Sequence, residues 1–331
     1  MPSLETAFTV VVIALFGLLI GSFLNVVIHR LPLGESIVWP GSHCPKCQHP
    51  LSALENLPVL SWLCLGARCR SCKESISWRY PANELATAGL FVGIYAAFGL
   101  GFQSGFLAVL ACLLVVTFWI DLDHMVILDA VTLPGVAIGL LYSWLITGHF
   151  LSALAAALYG VAALLFINSA TLLAIGRDGL GDGDMTLIAM LGAWLGLEQG
   201  LLALGLGMIA GAVLGLALLF GRWAAARHWQ PFAWALGVGL PVYALCSALF
   251  SSLGGTGGWL IFTGALLPAA MRAMLVGLAA LLGAVAGWLY MRTARDEGYL
   301  EMPFGPALVL GGLASLFWGV PLLEWYAGRL F

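Results

Sequence analysis

Apolar residues fall in long runs along this chain, and the runs approach twenty residues, the length that crosses a hydrocarbon layer as a helix. They lie at Phe8–Val27 and at about 83–100, 105–120, 130–147, 151–175, 185–198, 200–221, 232–252, 259–291 and 304–326. The pattern predicts an all-α polytopic membrane protein of about ten transmembrane helices. The first run has an acidic N-terminal flank and its basic residues after it, the reverse of a cleavable signal peptide, so it reads as a retained helix. Residues 33–80 are the one sizeable polar interruption. The run 259–291 is longer than one crossing needs, and Pro268 marks a kink or a re-entrant turn.

Composition agrees: 62% of the 331 residues are hydrophobic and only 9% are charged, with a mean hydropathy of +1.02. The net charge of −3 excludes little by itself, but no run of basic residues exists that would bind nucleic acid. Basic residues concentrate on the cytoplasmic side of membrane proteins. In the ten-helix reading Arg30, Lys46, Arg68, Arg70, Lys73, Arg79, Arg177, Arg222, Arg227, Arg292 and Arg295 share one face, Arg329 lies on the other and Arg272 within a span. Both termini are then extracytoplasmic.

The polar interruption is too short for a core of its own and needs a staple. Cys44-Pro45-Lys46-Cys47 and Cys69-Arg70-Ser71-Cys72 offer four thiolates to one tetrahedral Zn²⁺, and a site filled by four sulfurs is closed and structural. The alternative, two disulfides, fails for a cytoplasmic loop, where thiols stay reduced. Cys64 is a spare thiol there, while Cys112 and Cys246 lie in apolar runs and read as small hydrophobes.

Carboxylates at the margins of apolar runs carry the chemistry. Asp121, Asp123 and Asp129 follow the run 105–120, and Asp182 and Asp184 stand in Gly179-Leu180-Gly181-Asp182-Gly183-Asp184. A carboxylate beside lipid is costly, so it faces protein or a water-filled cavity and marks a functional site. Two such groups, one ionised and one protonated, activate water in aspartic proteases. The glycine pattern is not a nucleotide loop, because no preceding strand or βαβ unit exists.

Residues 179–196 closely resemble the Gly-x-Gly-Asp block of type IV prepilin peptidases. Further blocks of that family appear in order: Gly21-Ser22-Phe23-Leu24-Asn25 through His29-Arg30-Leu31-Pro32, the two cysteine pairs, Ser77-Trp78-Arg79-Tyr80-Pro81, Ile120-Asp121-Leu122-Asp123-His124 and Pro303-Phe304-Gly305-Pro306. The chain is identified as a member on that ground, apart from roughly residues 222–300, an apparent insertion of two helices. The resemblance implies domains at 1–29 (first helix), 30–81 (zinc-binding loop), 82–221 (peptidase core), 222–300 (insertion) and 301–331 (last helix).

It implies a bifunctional enzyme of the bacterial inner membrane. The enzyme removes leaders from type IV prepilins or type II secretion pseudopilins on the cytoplasmic side and N-methylates the new terminus with S-adenosyl-L-methionine. Asp121 and Asp184 align with the catalytic aspartates. Asn25, Arg30 and Glu84 fall in or beside the region associated with methylation. Read blandly, Arg30 is an interfacial anchor, Pro32 a helix stop and Glu84 a headgroup-depth carboxylate, with Asp129 the cap of the next helix. Two positions depart from the pattern, Leu128 where proline is common and Thr186 where lysine is usual. The rival classes are a proton-coupled transporter and a non-catalytic assembly scaffold.

Overall fold

The computed structural model describes residues 4–176, 181–226 and 304–327, and among these residues there are helices and turns and no β-strand. The helices are α1 (Leu4–Arg30), α2 (Leu60–Cys64), α3 (Arg79–Phe98), α4 (Phe102–His124), α5 (Asp129–Tyr142), α6 (Phe150–Ile175), α7 (Asp182–Ala226) and α8 (Gly305–Ala327). Six segments are long and apolar enough to cross a membrane: Leu4–Leu33, Phe102–His124, Asp129–Thr147, Phe150–Leu173, Asp182–Gly211 and Gly305–Trp325. The predicted run 83–100 corresponds to α3, which is not among those six segments. The predicted pair 185–198 and 200–221 corresponds to α7, which is interrupted at Gly196 by a non-helical backbone (φ 74°, ψ −176°). The predicted spans 232–252 and 259–291 lie outside the described residues.

The chain divides into two compact units, Met1–Gly211 with Pro303–Gly319, and Ala212–Met302 with Val320–Phe331. In the first, α1 lies along α3 at close range. A Cβ on Gly21 would come within 2.7 Å of the Glu84 Cα, and one on Gly17 within 2.7 Å of the Ala88 Cα. Small residues let apolar helices approach in this way, where no hydrophobic driving force from water is available. Asn83 fastens the pair from inside, donating to the Gly21 carbonyl at 3.1 Å and to the Asn25 side chain at 2.9 Å.

The main core joins Leu110 and Leu114 of α4, Leu164 of α6, Leu187, Ile188 and Leu191 of α7, and Leu308 and Val309 of α8. Trp194 wedges α7 against α5: its indole N–H donates to the Gly135 carbonyl at 2.8 Å and its ring stacks on Tyr142, centroids 5.4 Å apart. A second cluster, Leu24, Val115, Val116, Ile120 and Val131, runs beneath the end of α4. It holds the last turn of that helix, where Asp121 sits, against α1 and α5.

Candidate functional site: two buried carboxylates and a four-cysteine cluster

Asp121 lies in the final turn of α4 and Asp184 in the first turn of α7, and both are buried. Two backbone approaches bring these helix ends together. Gly183 packs on the loop after α4 so closely that a Cβ would meet the Ile127 Cβ at 2.6 Å and its carbonyl oxygen at 2.9 Å. Gly305, at the start of α8, covers the other side, where a Cβ would meet the Asp121 Oδ2 at 2.5 Å and the Ile127 Cδ1 at 3.0 Å. The bare backbone at both positions is what lets three elements converge.

Ile127 is the shared neighbour of both approaches, so the helix ends that carry Asp121 and Asp184 close on one residue. Asp184 Oδ2 accepts the Gly181 N–H at 3.1 Å, while the Asp184 N–H donates to the Gly181 carbonyl at 3.1 Å. The Gly305 backbone amide is directed at the Asp121 carboxyl, yet Asp121 Oδ2 is buried with no hydrogen-bond partner. An unsatisfied buried carboxyl oxygen is costly in a folded chain and calls for an explanation.

The other aspartates are placed differently. Asp123 faces outward and accepts from the Arg79 guanidinium at 2.6 Å, and Arg79 in turn lies over the Trp119 ring, 4.4 Å from its centroid. Asp182 opens α7 and is exposed. Asp129 does not cap α5, as the sequence suggested, because Leu128 occupies the cap position and makes no side-chain cap bond. Its carboxylate accepts instead from Thr186 at 3.2 Å; Thr186 also bonds the Gly183 carbonyl at 3.0 Å and accepts from Thr132 at 2.9 Å. A neutral hydroxyl set thus ties α5 to α7 at the position where the resemblance led us to expect lysine.

Asn25, Arg30 and Glu84 are all engaged by the chain itself. Arg30 is buried and donates to the carbonyls of Ser36, Pro40 and Gly41 at 3.1, 2.7 and 3.2 Å, tying the end of α1 to the start of the polar loop. Glu84 accepts the Val59 N–H at 2.7 Å, holding a β-branched residue at φ 60°, a conformation such side chains rarely adopt. Asn25 donates to the Tyr80 carbonyl at 3.3 Å.

In the polar loop the two cysteine pairs fold as near copies. Each is closed by an isolated antiparallel bridge, His43 with Pro50 and Arg68 with Ser75. Each places the residue after its second cysteine, Gln48 and Lys73, at φ of 60° and 61°. The Sγ atoms of Cys44, Cys47, Cys69 and Cys72 all lie within 4.8 Å of one another. Cys44 to Cys72 is 3.8 Å and Cys47 to Cys69 is 3.9 Å, matching the ~3.8 Å edge of a tetrahedron with 2.3 Å zinc–sulfur bonds. The backbone amides of Cys72 and Ser71, directed at Cys69, hold its thiol down to about 6. The cluster could therefore hold a metal such as zinc. Cys64 is exposed and outside the cluster, Cys112 is half-buried in α4, and Cys246 lies outside the described residues.

Sequence reasoning named both carboxylates and all four cysteines, but it missed Gly305 as part of the site. Its only signal was the Pro303-Phe304-Gly305-Pro306 block, which carried the family resemblance and no residue role.

A family model described as the bacterial peptidase A24 N-terminal domain matches residues 15–98, and one described as the type IV leader peptidase family matches residues 108–216. A prepilin leader peptidase/N-methyltransferase of Aeromonas hydrophila is 38% identical over 259 residues, covering 66% of this chain and 89% of the relative. A protein of the same name from Myxococcus xanthus is 43% identical over 204 residues, 61% of each chain. One from Neisseria gonorrhoeae is 34% identical over 290 residues, 79% of this chain and 92% of the relative. No solved structure matches the chain.

Proposed function

Because this chain belongs to the prepilin leader peptidase/N-methyltransferase family, we propose that Asp121 and Asp184 are the carboxylates with which it cleaves the leader peptide of prepilins. Leader cleavage and N-methylation are the enzyme's two activities. The observation that carries the assignment is the buried Asp121 Oδ2 with no hydrogen-bond partner, in the enclosure formed by Ile127, Gly305 and the Gly183-Asp184 turn, a place where a reacting group would complete the hydrogen bonding. One carboxylate, ionised, takes a proton from the attacking water. The other, protonated, gives its proton to the scissile carbonyl oxygen, and collapse of the tetrahedral intermediate delivers a proton to the departing nitrogen.

The four cysteines are assigned to one structural Zn²⁺, which would organise the loop and take no part in the cleavage. S-adenosyl-L-methionine is assigned as methyl donor through the family. Asn25, Arg30 and Glu84, each hydrogen-bonded to the chain, are assigned to the methylation region. Pseudopilins of type II secretion are included as substrates. We place the protein across the inner membrane with about ten crossings, both termini extracytoplasmic and the aspartates and zinc loop toward the cytoplasm. A transporter or an inert scaffold has no comparable support.

The test is incubation of purified protein in detergent with a leader-bearing prepilin. Wild type shortens the substrate, and Asp121→Asn and Asp184→Asn each leave it at full length, a loss of at least ~10²–10⁴-fold for a proton-transfer group. The double variant is no worse than either single, since the two act as a unit. An active Asp121→Asn enzyme beside a dead Asp123→Asn enzyme overturns the assignment.

A further inference from the structure

Between the two cysteine pairs runs an apolar stretch inside the polar loop: Glu55 is the sole charged residue from 51 to 66. That charge is turned inward. Its carboxylate accepts from the Ser52 hydroxyl at 2.7 Å and the Ser52 N–H at 2.9 Å, bonds that hold its pKa below the usual carboxylate value, and His49 lies 3.7 Å away. Trp62 is turned toward the second cysteine pair, its indole donating to the Ile76 carbonyl at 3.0 Å. Facing outward are Leu54, Leu57, Leu60 and Leu63, with 74%, 41%, 60% and 60% of their surfaces exposed, and one polar side chain among them, Asn56. Leu60 and Leu63 lie three apart on α2 and so share one face of it.

Depth gives this edge its meaning. The Val59 N–H reaches Glu84, and Glu84 packs on Gly21 and bonds Ser22 of α1. At 1.5 Å per residue, Ser22 is ~12 Å along α1 from Arg30, in a helix whose apolar length exceeds the ~30 Å hydrocarbon thickness. The start of α2 is therefore carried below the level of Arg30. The backbone there is satisfied internally, as apolar surroundings require: Ser61 donates to Leu57 at 3.0 Å, Leu63 to Val59 at 3.1 Å and Leu65 to Ser61 at 2.9 Å.

We propose that residues 54–63 form a re-entrant lipid anchor, with Leu54, Leu57, Leu60 and Leu63 seated among the acyl chains beside α1 and α3. Burial of four leucines fixes the zinc-bearing loop flat on the bilayer. The inference rests on α1 crossing the membrane.

The test uses the full-length protein in nanodiscs of phosphatidylethanolamine and phosphatidylglycerol, with Cys64, Cys112 and Cys246 replaced by alanine. Spin labels are placed singly at Leu60→Cys and Leu63→Cys, and at Leu57→Cys should either lower expression. Leu15→Cys on the exposed face of α1 is the lipid reference and Gln48→Cys the water reference. Relaxation by oxygen is expected to exceed relaxation by a water-soluble nickel chelate several-fold at 60 and 63, as at 15. Nickel access equal to that at 48 overturns the anchor. Nickel access lost only on adding prepilin overturns it too and makes the leucines a substrate surface. Nickel access at Leu15 itself overturns the membrane reading beneath both.

Discussion

Asp121 and Asp123 are two residues apart on one helix and so point to different sides, which is why one is buried in the site and the other is half exposed in a pair with Arg79. Exposed pairs of this kind contribute ~0–1 kcal/mol, and Asp123→Asn is expected to keep cleavage. The sharper residue-scale prediction concerns Gly305. A Cβ there would collide with the Asp121 Oδ2 at 2.5 Å and press on Ile127 at 3.0 Å, so Gly305→Ala must move the carboxyl or α8. Displacing a reacting group by about an ångström costs on the order of 10²-fold in rate. Prepilin processing should fall by that order with expression and zinc content unchanged; a wild-type rate would show that Gly305 does not set the position of Asp121. The aspartate clusters were legible in the sequence because charge is scarce in apolar runs, and Asp121 and Asp184 were chosen among them through the family resemblance. Gly305 was not, since a glycine's role depends on which backbone comes to meet it, and Asp121 is far away in the chain.

At the scale of elements, the cysteine pairs were readable because metal-ligand spacing is local, and their sulfurs do converge within 4.8 Å. The five residues of α2 are too few to show a period, and the bond from Val59 to Glu84 links positions no pattern connects. The boundary between the predicted spans 185–198 and 200–221 falls near Gly196, where the backbone of α7 is non-helical and the chain turns back far enough that a Cβ on Gly200 would meet the Gly192 Cα at 3.3 Å. The core that holds α4, α7 and α8 together draws no side chain from the zinc loop. Cys44→Ser or Cys72→Ser should therefore abolish bound Zn²⁺, measured by metal analysis of purified protein, while the bundle carrying Asp121 and Asp184 still forms. Cleavage is expected to weaken without vanishing. Full metal content in either variant would remove the site, and a folded, metal-free variant with no cleavage would tie the loop to the chemistry.

For the whole molecule, the proposed topology follows from where basic residues lie and which way the helices run. α4 starts after the Gly99–Gly101 turn and ends at His124, and α5 returns toward Gly148 and His149 before α6 begins at Phe150. The turns at Leu100 and His149 thus belong to one side and the Asp121–Asp129 loop to the other. Arg30, Lys46, Arg68, Arg70, Lys73 and Arg79 all flank or lie in the polar loop between α1 and α3, and this excess of basic residues is the ground on which the proposed topology puts that loop in the cytoplasm. Residues 222–300 lie almost wholly outside the described residues, so the segment from α1 to α6 is the place to test orientation. In a background with Cys64, Cys112 and Cys246 replaced by alanine, Leu100→Cys and His149→Cys should react with a membrane-impermeant maleimide on intact cells. Gln48→Cys should react only after permeabilisation. Labelling of Gln48→Cys on intact cells would invert the topology and put the aspartate pair on the wrong side for a prepilin leader still in the cytoplasm. Labelling of Leu100→Cys and His149→Cys on different sides would instead break the α4–α5–α6 alternation on which the count of crossings depends.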